Sequence, residues 1–268
     1  MLKKCAEIWD EVRNQSPLVH CITNYVTITD VANIILAGGA SPAMVENTGE
    51  AYDFALIASA LYFNLGTLIG EQEAAMIDAA QAAAKAGRPL VIDPVACGVI
   101  PSRAEVLNRI ARAGKITCIK GNRAEIKSLA GMKSQARGVD SLDEGEGLEE
   151  ACRFLAEKQQ LVVAATGAID VVADYEKLAL IHNGSTLFEC ITGAGCMVGR
   201  VAAACIGAVP SEPWLATISS IAAFNIAGEK AARISGENPG TFHSLLFDEL
   251  HRLRGADIVN EARVEWKD

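Results

Sequence analysis

The sequence is short of aromatic residues, of positive charge and of long apolar runs, and each shortage excludes something. Phe, Trp and Tyr make up 5% of the 268 residues, while the hydrophobic half of the chain is mostly Ala, Ile, Leu and Val. That bias suits buried parallel strands covered by Ala-rich helices, and it excludes wholesale disorder. Lys and Arg number 24 against 33 Asp and Glu, a formal net charge of −9. An acidic surface disfavours nonspecific contact with nucleic acid or a membrane, so neither is expected as a partner. An anionic ligand would therefore depend on local donors or a metal. No uninterrupted apolar stretch reaches the ~18 residues of a membrane span, and Met1-Leu2-Lys3-Lys4 leads directly to Glu7, Asp10 and Glu11 with no apolar signal segment.

Other signatures are missing too. The eight cysteines (5, 21, 97, 118, 152, 190, 196 and 205) form no C-x-x-C pair, and several, such as Cys118, sit inside apolar runs. Reduced, mostly buried thiols in a soluble cytoplasmic protein are expected, without structural zinc. His20, His182, His243 and His251 have no metal-ligand spacing. The chain has neither a Walker A motif nor the G-x-G-x-x-G dinucleotide fingerprint.

What is present is a regular alternation of short β-rich runs and helices. An amphipathic helix over residues 3–14 ends at Ser16-Pro17, before the strand-like run Leu18–Ile22. Residues 27–37 read as a helix closed by Gly38-Gly39, and Phe54–Ala58 with Leu61–Leu65 frame a buried strand and its exit loop. Further strands are expected at 89–92, 116–119 and 161–165, separated by helices over 71–86, 103–112, 123–129 and 148–158. Val171–Ala173 and Leu178–Ile181 look like an antiparallel hairpin, and 212–255 look wholly helical. Lys133–Gly147, with its acidic run Asp143–Glu146, reads as a solvated surface loop or a flap beside a nucleotide. The pattern predicts one doubly wound α/β domain over 1–268, with a mostly parallel central sheet and helices on both faces.

Open parallel sheets bind ligands beyond the carboxyl ends of their strands. Those ends carry Asp93, Lys120-Gly121-Asn122 with Glu125 one turn on, and Thr166-Gly167. Ile191-Thr192-Gly193-Ala194-Gly195-Cys196 joins them, a Gly-rich turn feeding an apolar helical run. Such a turn leaves N–H groups unpaired at the positive end of a helix dipole, which favours a phosphate over Gly193, Ala194 and Gly195. Cys196 lies in the first helical turn, where a thiol ionises more readily. Carboxylates and amides beside a phosphate site suit Mg²⁺. Taken singly, Asp93 and Asn122 also read as caps, and Glu125 as an ordinary surface residue of a helix.

At these residues the sequence resembles hydroxyethylthiazole kinases, ribokinase-like enzymes of thiamine salvage. The resemblance runs along most of the chain, through Pro17–Val26, Gly39–Met44, Asn64–Leu68, Asp93-Pro94-Val95, Lys120-Gly121-Asn122 with Glu125, Gly138–Ser141, Thr166-Gly167 and Thr192–Met197. It implies a ribokinase-like fold and phosphoryl transfer from ATP, with Mg²⁺, to the primary alcohol of 4-methyl-5-(2-hydroxyethyl)thiazole. It also implies a homotrimer with active sites between subunits. Met44 and Gly193 would contact the thiazole, with Asn24 nearby. Lys120 and Thr166 would hold the ATP phosphates, and Asp93 and Glu125 would organise Mg²⁺. Cys196 would stand where related enzymes carry an Asp base, orienting the alcohol and aiding proton transfer without becoming a covalent nucleophile.

Three departures from the family pattern matter. Lys120 replaces the usual Arg, so a bidentate contact becomes a point charge. Ala194 replaces a Thr, and Val95-Ala96-Cys97-Gly98 replaces the usual Val-Gly-Ala-Gly. The alternatives are a hydroxymethylpyrimidine or pyridoxal kinase, a Cys-dependent hydrolase using Cys196 with His20 or His182, and a thiazole-binding trimer without turnover.

Overall fold

The computed structural model describes residues 1–132, 136–137, 140–141 and 147–267. In chain order the strands are β1 (Leu18–Ile22), β2 (Ser41–Ala43), β3 (Ala60–Asn64), β4 (Leu90–Asp93), β5 (Cys118–Asn122), β6 (Ala136–Arg137), β7 (Asp140–Ser141), β8 (Val162–Thr166), β9 (Asp170–Ala173), β10 (Leu178–Ile181) and β11 (Val264–Lys267). The helices are α1 (Leu2–Gln15), α2 (Ile28–Gly38), α3 (Thr48–Ile57), α4 (Gln72–Ala86), α5 (Pro101–Ala113), α6 (Arg123–Leu129), α7 (Leu148–Gln159), α8 (Ala194–Ala208), α9 (Pro213–Ser235), α10 (Pro239–Arg252) and α11 (Gly255–Glu261), with a 3-10 turn at Thr186–Cys190.

Nine strands form one sheet in the order β11-β10-β9-β8-β5-β4-β3-β1-β2, while β6 and β7 pair only with each other. From β2 to β8 the neighbours are parallel, and β9, β10 and β11 add on antiparallel. Strand residues alternate strictly between the two faces, as the two-residue repeat of a strand requires. Tyr62, Val91, Cys118 and Ala164 pack with α1, α2, α8, α9 and α10. Phe63, Ile92, Ile119 and Val163 pack with α3, α4, α5 and α7.

The connectivity sets the site. From β1 the chain crosses through α2 to β2 on one side, then returns through α3 to β3 on the other side of β1. The loops leaving β1 and β3 therefore part company between adjacent strands and open a crevice at their carboxyl ends. Beyond this crevice the two core faces differ in character. Arg200, Thr217, Ser219, Ser220 and Asn225 are all buried within α8 and α9.

Two expected elements are corrected. Phe54–Ala58 is not strand: Phe54–Ile57 completes α3, whose Ala51 and Ala55 are buried one turn apart and whose N-cap Asn47 accepts the Gly49 N–H. The stretch 212–255 is not one helical block. Gly236 breaks it, Pro239 starts α10, and the chain runs past 255 through α11 into β11, which closes the sheet edge against β10. The expected loop 133–147 lies largely outside the described residues. All eight cysteines are free; Cys190 is exposed, Cys196 is half-buried and the other six are buried. No helix among the described residues is long and apolar enough to cross a membrane.

Candidate active site

Asp93 ends β4 and Lys120 lies on the adjacent β5, so the parallel register brings them together; both are almost fully buried. The Tyr62 hydroxyl donates to Asp93 Oδ2 at 3.0 Å, and Lys120 Nζ lies 3.5 Å from the same oxygen. Asp93 Oδ1 takes no hydrogen bond from a described residue. Burial alone would push the Lys120 ammonium down, but Asp93, Cys196 and Glu125 outweigh it and raise Lys120 above its ordinary value. The lysine therefore remains a cation inside the protein.

Glu125 is placed by a capping box at the start of α6. Its Oε2 accepts the Asn122 N–H at 2.8 Å while Asn122 Oδ1 accepts the Glu125 N–H at 2.9 Å. Its Oε1 accepts the Ala96 N–H at 2.9 Å, tying the loop after Asp93 to the same carboxylate. Burial first, and Asp93 second, push the Glu125 carboxyl up to about 7. Sequence spacing led to Asn122 and Glu125 as a metal-side pair; the three-residue interval also serves as a helix cap. Among the described residues no group of three or more His, Cys, Asp or Glu is placed to hold a metal. Mg²⁺ needs only one or two carboxylates when phosphates and waters complete its shell, and Lys120 acts on both members of this acidic pair. The donor set fits that ion.

The Gly-rich turn caps this arrangement. Gly193, with φ 83°, is the N-cap of α8, and a Cβ there would lie 2.5 Å from Thr27 Cγ2. Only glycine combines that backbone with that contact. The first helical N–H to bond back is that of Met197, to Gly193 O, so the preceding N–H groups form the open end of the helix. Next to it, a Cβ on Gly195 would stand 3.1 Å from Lys120 Nζ. The helix end and the ammonium thus converge on one spot suited to an anion. Cys196 follows, its sulfur 3.3 Å from Asn64 Nδ2 and 3.6 Å from Asn24 Nδ2. One turn on, the fully buried Arg200 donates to the Cys196 carbonyl at 2.7 Å and to Thr23 Oγ1, and lies over the Tyr62 ring.

A cleft of about 800 Å³ adjoins the turn, lined by Thr166, Gly167, Ala194, Gly195, Phe188 and Phe224 among others. Phe188 stacks on Phe224 at 5.0 Å, giving one wall an aromatic surface. At the polar end Thr166 Oγ1 donates to Gly121 O at 3.3 Å. Asp170 accepts the Gly167 N–H at 2.9 Å and Asn225 Nδ2 at 2.7 Å, and burial pushes its carboxyl up to about 6. Met44 lies outside this cleft lining, just past β2, half-buried against the core on the α8 side. Neither histidine considered for a hydrolase bonds Cys196: His20 Nε2 lies 2.6 Å from Val45 O, and His182 faces Glu265.

Sequence reasoning did not single out Tyr62, Asn64, Arg200, Asp170 or Asn225. For Asn64 a signal existed: it ends the apolar run Ala60–Phe63 as Asp93 ends Leu90–Ile92.

Parallel strands that deliver a buried ammonium–carboxylate pair beneath a helix N-terminus, beside an open cleft, form an α/β site suited to phosphoryl transfer. The fold agrees: the pyridoxal kinase of Staphylococcus aureus superposes with TM-score 0.58 at 17% identity, over 79% of this chain and 86% of that one. The family model described as hydroxyethylthiazole kinase matches residues 9–255. Hydroxyethylthiazole kinase of Syntrophomonas wolfei is 63% identical over 266 residues, covering 99% of this chain and all of that protein. The structure of hydroxyethylthiazole kinase protein from Pyrococcus horikoshii superposes with TM-score 0.89 at 35% identity, over 99% of this chain and 100% of that chain. The chain belongs to the hydroxyethylthiazole kinase family, phosphotransferases that act on an alcohol.

Proposed function

We propose that the protein transfers the γ-phosphoryl group of ATP to the primary alcohol of 4-methyl-5-(2-hydroxyethyl)thiazole, as a single ribokinase-like unit serving thiamine salvage in the cytoplasm. The observation that carries this reading is the convergence of Lys120, Asp93 and the open end of α8 at one spot between the cleft and Cys196. Phosphoryl transfer asks for positioning and charge stabilisation more than covalent chemistry, and this arrangement offers both.

In this reading Thr166 and Lys120 hold the ATP phosphates at the polar end of the cleft. Gly193, Ala194 and Gly195 present N–H groups to the phosphoryl group in transit. Met44 and Gly193 border the thiazole, with Asn24 beside it. Asp93 and Glu125 hold Mg²⁺, which when bound neutralises charge on the phosphates. Cys196 orients the alcohol and aids removal of its proton, and is not a covalent nucleophile. The working form is a homotrimer with the thiazole sites between subunits. Support for that comes from Leu36 and Ile57, exposed apolar residues on the helices before and after β2, the edge strand of the sheet among the described residues.

The test is ADP release from ATP with a panel of small primary alcohols, with and without Mg²⁺. Turnover of the thiazole alcohol that requires Mg²⁺ is expected. Turnover of a pyrimidine or pyridoxal alcohol in its place would overturn the substrate assignment and keep the phosphotransferase.

A further inference from the structure

Two side-chain amides from different loops converge on one sulfur, and their orientation is fixed. Asn24 follows β1 and Asn64 ends β3, and both are almost fully buried. Asn24 Oδ1 accepts the Thr27 N–H and the Thr27 hydroxyl, each at 3.1 Å. Asn64 Oδ1 accepts the Gly66 N–H at 3.0 Å and Asn24 Nδ2 at 2.9 Å. A backbone N–H can only donate, so each amide must turn its oxygen toward that N–H and its NH₂ the other way. Flipping either amide would set donor against donor. Both NH₂ groups thereby also reach Cys196 Sγ, at 3.6 Å from Asn24 and 3.3 Å from Asn64.

A sulfur that receives two hydrogen bonds is acting as an acceptor. Its own proton, when present, has to point away from both asparagines. The remaining groups around this helix end act in the same place: the cations Lys120 and Arg200, the acids Asp93 and Glu125, and the Tyr62 phenol. Asn64 Nδ2 also reaches Tyr62 OH at 3.4 Å, and that hydroxyl donates to Asp93 Oδ2. Asn64 therefore stands between the sulfur and the carboxylate on which Lys120 is held.

We propose that Asn64, with Asn24 behind it, is a positioning residue that fixes the Cys196 sulfur as a hydrogen-bond acceptor. The proposal rests on the reading of Cys196 as the group that meets the alcohol. Asn24 stands behind Asn64 in this arrangement, its amide oxygen and nitrogen both engaged within the chain. Both asparagines lie in segments of the family resemblance, but spacing does not show their meeting, because they lie 40 residues apart and reach the cysteine across 132 and 172 residues.

The test uses the full-length protein in a Cys190→Ser background, which removes the exposed thiol. Alkylation of Cys196 by iodoacetamide is followed against pH by peptide mass spectrometry, alongside steady-state kinetics. Asn64→Ala is expected to change the alkylation profile, with the rate at neutral pH altered by about fivefold because the sulfur is no longer held by two donors. At neutral pH kcat should fall about tenfold, with KM for ATP within about twofold of the parent. In a Cys196→Ala background the same Asn64 substitution should cost less than about threefold, since its partner is gone. An unchanged alkylation profile, or equal kcat losses in the two backgrounds, would overturn the proposal. Asn64→Ser, a milder change, is read by the same profile if Asn64→Ala does not fold. Alkylation needs no turnover, so a parent protein inactive on the thiazole alcohol would refute the kinase reading while leaving this one decided by its own profile.

Discussion

The two ends of the crevice are built differently. At the end near β1 and β3, Asn24, Asn64, Thr27 and Cys196 are joined mainly by side-chain bonds to one another. At the end near β8, the cleft is walled by the Thr166-Gly167 turn, the 182–185 segment and an aromatic pair. There Asp170 and Asn225 bond backbone groups as well as each other. A side-chain lattice fixes direction at a single atom, which suits a small alcohol whose one hydroxyl must be aimed. Backbone donors around an open cleft recognise phosphate oxygens without demanding particular side chains, which suits a nucleotide. Asp93 and Lys120 join the two, so a change there should damage both ends, and a change at either end should damage one.

The largest effect is expected at the join. Asp93→Asn removes the charge that keeps Lys120 paired and one of two carboxylates proposed for Mg²⁺. The value of kcat/KM should fall by about 10³-fold or more, read as ADP release. A loss below tenfold would show that the two ends do not meet at this carboxylate.

At the nucleotide end, Asp170→Asn separates binding from charge. The carboxyl stands at about 6 against an ordinary 3.8, raised by burial against the opposing pull of Gly167 and Asn225. Between those values the native state holds more protons than the unfolded chain, so this group's contribution is fully present below about pH 4 and lost as the pH rises to about 6. Its size is about 3 kcal/mol at 1.36 kcal/mol per pH unit. Urea unfolding of the parent minus that of Asp170→Asn should show this slope, because an amide does not titrate. The variant also sets an amide NH₂ near that of Asn225, so KM for ATP should rise about threefold while KM for the alcohol stays unchanged. A parallel rise in both KM values would erase the distinction between the ends.

At the alcohol end, Gly193→Ala places a methyl group 2.5 Å from Thr27 Cγ2 on a backbone with φ 83°. Stability should fall by about 1–2 kcal/mol in thermal or urea unfolding. KM for the alcohol should rise more than KM for ATP. The opposite order would assign the turn to the nucleotide.

This division between the ends also explains what could be read from the sequence. Strands and helices were legible because buried runs such as Leu90–Ile92 end at polar residues, and because Gly39 and Gly87 close helices visibly. Asp93, Lys120, Thr166 and Gly193 could be named because each sits at a strand end or in a Gly-rich turn, a local mark. Asn64 meets Cys196 across 132 residues and Asp170 meets Asn225 across 55, and spacing carries no trace of such contacts. Arg200 was hidden for another reason. It sits in an apolar helix, and among the described residues no carboxylate pairs with it; the Tyr62 face, the Thr23 hydroxyl and a carbonyl hold it instead. Phe54–Ala58 failed because five apolar-rich residues fit a strand as well as the last turn of a helix. The strand β11 failed because Val264–Lys267 alternates only over four residues and gains its partner from β10.

The smallest expected effect tests whether the join can be altered without favouring either end. Ala96 adopts φ 58°, a left-handed backbone that costs a residue with a Cβ about 1–2 kcal/mol. Its N–H is nevertheless committed to Glu125 Oε1, so the loop after Asp93 holds the strained conformation in exchange for that bond. Ala96→Gly keeps the N–H and removes the strain, while the unfolded chain gains about 0.5–1 kcal/mol of backbone freedom. The two contributions nearly cancel, leaving a net gain of about 0.5 kcal/mol in unfolding free energy. Because Glu125 and Asp93 stay where they are, both KM values should remain within about twofold of the parent. A variant that lost stability by more than about 1 kcal/mol would mean that Ala96 contributes packing that outweighs its backbone. A change confined to one KM would place this loop at that end of the crevice and not at the join.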